Sequence, residues 1–211
     1  MKKPIVNALA AVLVLGSVGA AKASLLISGG TSPVSATTEA TSPFPTTLTG
    51  SVGGSLYAQD AGSYLFTYKG IGDPLYYNTF SVTGCGVTFT GHTTAIGTSF
   101  TCNFAANTLI PFTFTTNTTG SPSHTTSNGD AYNANTYVGY LVAMTGSTGS
   151  PILTTGTSAY LGLSDGGVSN DHDYQDLVVR VDEVPEPASF ALLGVGLLGL
   201  GFAWSRRRAR A

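Results

Sequence analysis

The chain has 211 residues, of which only 9 are Lys or Arg and 11 Asp or Glu, so 9% carry charge where an ordinary globular domain has about 25%. Outside the two ends, residues 24–187 hold Lys69 and Arg180 against all eleven acids, a net charge of −9. That balance, with 27 glycines and abundant Thr and Ser, argues against a cytosolic enzyme and against a basic nucleic-acid binder.

The first residues are Met1-Lys2-Lys3, followed by an uncharged apolar run and then Ala21-Lys22-Ala23. A basic start, a short apolar stretch and an A-x-A site form a secretory signal peptide. The expectation is therefore a signal over residues 1–23 that engages the secretion translocon and is cut after Ala23, with Ala21 and Ala23 forming the cleavage site. A retained anchor is the rival reading.

Residues 24–183 alternate short apolar or aromatic runs with Gly, Thr, Ser, Asn and Pro, and show no sustained period of 3.6. Strands are expected at 25–28, 63–68, 76–82, 87–90, 99–104, 109–115, 137–144, 159–163 and 177–181, each rich in aromatic and β-branched residues and bounded by turn formers. The expected fold class is all-β, a β-sandwich or jelly roll, flanked by the signal peptide and a C-terminal transmembrane helix. Residues 29–50, with Pro33, Pro43 and Pro45, read as mostly irregular or a loosely attached edge, and 116–135 as a long surface loop.

Cys85 and Cys102 are the only cysteines, and an even count in an exported chain predicts a disulfide. Without a second Cys pair or a His-x-x-His nearby they make a poor zinc site.

Four of the eleven acids fall between Asp165 and Asp176. Their repulsion needs an offset, and Ca²⁺ is the candidate cofactor because a hard cation gathers six to eight oxygens. The candidate ligands are Asp165, Asn170, Asp171, Asp173 and Asp176; the rival reading is an acidic turn whose side chains cap backbone N–H groups. The run is not an EF-hand, since Asp176 stands where that loop needs glycine. His92, His124 and His172 accompany no H-E-x-x-H, G-x-S-x-G or phosphate-loop motif, and the expectation is that the protein is not an enzyme.

Val184-Pro185-Glu186-Pro187 precedes seventeen uncharged residues, 188–204, and a tail with Arg206, Arg207, Arg208 and Arg210. Seventeen helical residues span roughly 25 Å, just enough to cross a membrane, and the arginines should hold their end in the cytoplasm. Gly194, Gly196 and Gly199 spell G-x-G-x-x-G, but no acid follows Glu186, so the glycines are read as membrane-helix small residues rather than a nucleotide fingerprint.

Motif, span and basic tail over residues 184–211 together resemble the PEP-CTERM sorting signal of Gram-negative bacteria. The resemblance implies recognition of Val184, Pro185, Glu186 and Pro187 by an exosortase-type membrane enzyme, an inner-membrane precursor, and release or transfer to the envelope. It also implies a setting of bacteria that make exopolysaccharide. The run from Leu161 through the acidic residues to Val179 is similar to the closing segment of an uncharacterised β-domain of bacterial extracellular proteins, which brings no known activity. The leading expectation is a non-catalytic envelope or extracellular-matrix protein. The alternative is a carbohydrate-binding or adhesive module using Tyr76, Tyr77, Tyr132, Tyr137 or Tyr140; ice binding and secreted hydrolysis rank below both.

Overall fold

The computed structural model describes residues 24–36, 43–44, 48–72, 76–117, 123–131, 138–145, 153–165, 174–185 and 196. The expected signal peptide and most of the expected membrane helix lie outside these residues. Among the described residues no helix is long and apolar enough to cross a membrane.

The described residues form fifteen strands: β1 (Leu25–Ser28), β2 (Thr31–Ala36), β3 (Leu48–Val52), β4 (Ser55–Ala58), β5 (Gly62–Gly70), β6 (Tyr77–Val82), β7 (Thr88–Thr90) and β8 (Ser99–Phe104). They continue as β9 (Thr108–Leu109), β10 (Phe112–Asn117), β11 (His124–Ser127), β12 (Gly139–Met144), β13 (Leu153–Gly156), β14 (Ser158–Ser164) and β15 (Leu177–Val184). A seven-stranded sheet runs β2-β3-β12-β14-β15-β5-β8, and two four-stranded sheets run β13-β1-β4-β9 and β11-β10-β6-β7. The described residues 24–185 are all-β and sandwich-like, as expected.

Alternation explains the layers. On β5, Tyr64, Phe66 and Tyr68 are buried while Ser63, Leu65 and Thr67 are less so, the period-2 pattern of a strand with one covered face. These residues share one core with Leu25, Ile27 and Leu56 of one small sheet and Phe80, Phe89, Phe112 and Phe114 of the other. Both small sheets therefore cover the same face of the large one. Aromatic rings carry much of that contact: Phe66 meets Phe80 at 6.1 Å between centroids, and Phe112 meets Tyr140 edge-on at 5.4 Å.

The opposite face of the large sheet buries a second cluster of Phe44, Val52, Leu141, Ala143, Tyr160, Tyr174 and Val178. Every residue of β12 is accordingly buried, which explains its unbroken apolar run Gly-Tyr-Leu-Val-Ala-Met. Gly162 is required in β14, because a Cβ there would collide with the Tyr174 carbonyl oxygen and the Phe44 ring.

Two expectations are corrected and one is sharpened. The described part of residues 29–50 includes β2 and the start of β3, which pair antiparallel, and β2 is the edge strand of its sheet, in line with the edge alternative. Pro33 is tolerated because β2 is an edge strand and the register shifts between Thr31 and Val34, where a missing N–H costs the ladder little. The expected single strand at 109–115 is two, divided at Pro111, with β9 in one small sheet and β10 in the other. The expected surface loop at 116–135 contains β11, paired with β10 from Thr113↔Ser127 to Thr116↔His124.

Just after β11 the buried Asn128 side chain ties the two small sheets together. Its Oδ1 accepts from the Leu56 N–H at 2.9 Å, and its Nδ2 donates to the Leu56 and Ile110 carbonyls at 2.7 Å each. The amide acts as a short piece of strand between β4 and the β9–β10 crossover.

Candidate functional site at the last strand

Strand β15 joins the acidic run to the C-terminal motif. At its start, Asp165 closes β14 and Asp176 opens β15, and antiparallel pairing of the two strands brings these carboxylates together. Asp176 Oδ2 accepts from the Asp165 N–H at 2.7 Å; Asp165 Oδ2 accepts from Asn78 Nδ2 at 2.6 Å and from the Tyr76 N–H at 3.1 Å. Both aspartates are buried, and they act as caps on backbone N–H groups that strand pairing leaves over.

Asn78, on β6, is the member that sequence reasoning missed; the signal that could have found it is the period-2 alternation that puts it on the same buried face as Phe80 and Val82, opposite Thr79 and Ser81. Among the described residues its Oδ1 is buried without a hydrogen-bond partner, a feature that a bound water or cation would answer. Of the expected calcium ligands, Asp165 and Asp176 are thus brought together, while Asn170, Asp171 and Asp173 lie outside the described residues. Among the described residues no three His, Cys, Asp or Glu side chains form a metal-binding group.

At its other end β15 is held on both sides. Asp182 pairs with Ser158 of β14 and Leu65 of β5. Its Oδ1 accepts from Arg180 Nη2 at 2.7 Å, Arg180 Nε at 2.9 Å and Ser158 Oγ at 2.7 Å. Partial burial alone would lower the Arg180 pKa, but the Asp182 carboxylate and the neighbouring Tyr160 hold it above the ordinary value. The Glu183 N–H donates to the Thr157 carbonyl at 2.8 Å, and Val184 pairs with Ser63. Pro185 follows, exposed. Glu186, Pro187, Arg206, Arg207, Arg208 and Arg210 lie outside the described residues, as do Ala21 and Ala23.

The expected disulfide is present: Cys85, in the turn between β6 and β7, is bonded to Cys102 of β8, stapling a small sheet to the edge of the large one. Of the histidines, His92 packs against Tyr77 at 4.6 Å between ring centroids, His124 sits on β11, and His172 lies outside the described residues.

The expected sugar-stacking tyrosines separate. Tyr77 is 57% exposed and Tyr76 half-buried, whereas Tyr140 is core and unavailable to a ligand, its hydroxyl accepting from the Gly129 N–H at 3.0 Å. Burial pushes the Tyr140 pKa up to about 12. Tyr132 and Tyr137 lie outside the described residues.

A family model, the PEP-CTERM protein-sorting motif, matches residues 183–208. No curated protein and no solved structure matches the chain. The matched segment implies a membrane-anchored precursor that an exosortase-type membrane enzyme processes for the cell surface. Its first two residues, Glu183 and Val184, are the last two of β15.

Proposed function

We propose that this chain, which carries a PEP-CTERM protein-sorting motif and is thereby a substrate of an exosortase-type membrane enzyme, is an exported, non-catalytic protein of the cell envelope or extracellular matrix. The observation that carries the reading is the motif at 183–208, which continues without a linker from the last strand of an all-β domain. The N-terminal signal takes the chain across the inner membrane, the C-terminal segment holds the precursor there, and processing delivers the β-domain to the envelope.

Association with exopolysaccharide belongs to the same reading. A charge-poor, Thr- and Ser-rich domain with an acidic excess suits a hydrated polysaccharide matrix, where hydroxyl groups supply both donors and acceptors. The non-catalytic part is supported by what the site residues do: Asp165 and Asp176 cap backbone groups, and Asp182 is engaged by Arg180 and Ser158.

Deleting residues 184–211 and following the protein by fractionation tests the sorting claim. Loss of delivery to the envelope is expected; unchanged processing and location would sink the claim. Carbohydrate binding is the second reading, supported by the exposed Tyr77 face backed by His92. A glycan array on the mature protein decides it, and Tyr77→Ala should abolish any specific signal.

A further inference from the structure

We propose that β8 is a docking edge for a second copy of this chain, the two β8 strands pairing antiparallel about Thr101 so that the seven-stranded sheets of two molecules become one. The proposal stands apart from the sorting reading and rests on the edge of the large sheet.

Strand β8 ends the large sheet, and among the described residues β5 is its only partner strand. Tyr68 donates its N–H to the Thr98 carbonyl at 2.8 Å and accepts the Gly97 N–H at 2.9 Å, so the Tyr68 backbone faces the β8 side. Every second residue of an antiparallel strand bonds to the same neighbour, which directs Phe66 and Tyr64 to β8 and makes Phe100 and Cys102 their bonded partners. The N–H and C=O groups of Ser99, Thr101 and Asn103 therefore point away from the sheet, and all three residues are exposed.

Open edges template pairing, and folds blunt them with proline, charge, irregular register or shortness. Of the other edge strands among the described residues, β2 has Pro33 and a register shift, β9 has two residues, β7 three, and β11 and β13 four each. None of these guards protects β8. Its six residues, Ser-Phe-Thr-Cys-Asn-Phe, pair with β5 without a shift and include neither a charge nor a proline.

Charge and register select a second copy as the occupant. Residues 74–129 hold no Asp, Glu, Lys or Arg, so the acidic excess that would drive two copies apart is missing from β6 through β11. A two-fold axis at Thr101 sets Ser99 opposite Asn103 of the second copy and Thr101 opposite itself, so every outward N–H and C=O of the two strands gains a partner. On the core side it sets the half-buried Phe100 beside Cys102 of the second copy. Asp60 precedes β5 at the Phe104 end, and the antiparallel arrangement sends it to the opposite end from its counterpart. Ile96, 74% exposed just before β8, comes to the end where β8 of the second copy finishes.

The test uses the full-length chain, extracted with mild detergent and gently oxidised, with covalent dimer read on a non-reducing gel. Paired Cα atoms at a bonded antiparallel position are about 5.5 Å apart, within reach of a disulfide. Thr101→Cys should cross-link to itself, and Ser99→Cys chains mixed with Asn103→Cys chains should cross-link to each other while neither does so alone. Thr125→Cys, exposed on the equally uncharged β11, should stay monomeric. Thr101→Pro removes an N–H that points outward, so it should keep the unmodified circular dichroism spectrum and abolish the cross-link between Ser99→Cys and Asn103→Cys chains. Thr101→Lys, which sets like charges opposite each other, gives the same readout if Thr101→Pro disturbs folding. No dimer from Thr101→Cys, as much dimer from Thr125→Cys, or self-linking of Ser99→Cys as strong as the mixture overturns the proposal. So does a Thr101→Cys chain that links to a different protein in place of itself.

Discussion

Asn128→Ala tests how the two small sheets are joined. The substitution removes three hydrogen bonds, from the Leu56 N–H and to the Leu56 and Ile110 carbonyls, in a site where Leu56 and Ile110 are fully buried. At about 1 kcal/mol net for each bond, with a further cost for buried groups left unpaired, the loss should be about 4 kcal/mol. For a domain of this size 1 kcal/mol moves Tm by roughly 2–4 °C, so the variant should melt roughly 8–16 °C lower. Asn128→Asp should cost at least as much, because it sets a carboxylate oxygen against two carbonyls. Asn103→Ala is the control: Asn103 is exposed and bonded only to the Ser63 hydroxyl among the hydrogen bonds described, and its loss should cost about 0.5 kcal/mol or less. Thermal unfolding followed by circular dichroism reads all three. An Asn128→Ala shift under about 3 °C would refute the reasoning, since water would then be satisfying Leu56 and Ile110 and the amide would not be the joint.

Replacing Cys85 and Cys102 by serine opens a loop of sequence separation 17 and should cost about 3 kcal/mol by the chain-entropy estimate, measured by urea unfolding under oxidising conditions. Tyr64 and Tyr140 have pKa values raised to about 12, chiefly by burial, against about 10 for an unfolded tyrosine. Their contribution is fully present below pH 10 and is lost as pH rises toward 12, because only the unfolded state releases the proton in that window; roughly 2 kcal/mol per tyrosine should disappear, and Tyr140→Phe should flatten the alkaline fall in Tm. For the acidic run we propose Ca²⁺ as a structural cation, with Asp165, Asn170, Asp171, Asp173 and Asp176 as its candidate ligands; millimolar Ca²⁺ should then raise Tm, and neither heat on titration nor a shift in melting would end that proposal.

Much of the fold was legible because one-sided burial writes itself into sequence. The alternation in Phe112-Thr113-Phe114-Thr115 and the apolar run of β12 each announce how many faces are covered. The strands that went unread are short or polar: β13 is Leu-Thr-Thr-Gly, and β11 is His-Thr-Thr-Ser, a loop by composition that becomes a strand because β10 offers it a ladder. Sequence also hid Asn128, whose role depends on Leu56, seventy-two residues away. At the site, the motif from Val184 to Pro187 was readable because a processing enzyme must read it linearly, but the length of β15 was not. The pattern Leu-Val-Val-Arg-Val suggested an end at 181, and only the pairing of Asp182, Glu183 and Val184 with β5 carries the strand up to the proline. Alternation with Phe80 and Val82 marks Asn78 as inward-facing, but its partners Asp165 and Asp176 were not readable, since the β14–β15 pairing brings them to it.

The central claim, that both ends of this chain are delivery signals for a folded β-domain, is tested most directly by the intact mass of the mature protein from a host with an exosortase-type enzyme. The account predicts a chain that begins at Ser24 and has lost residues 188–211. A mature protein that keeps all 211 residues would contradict it.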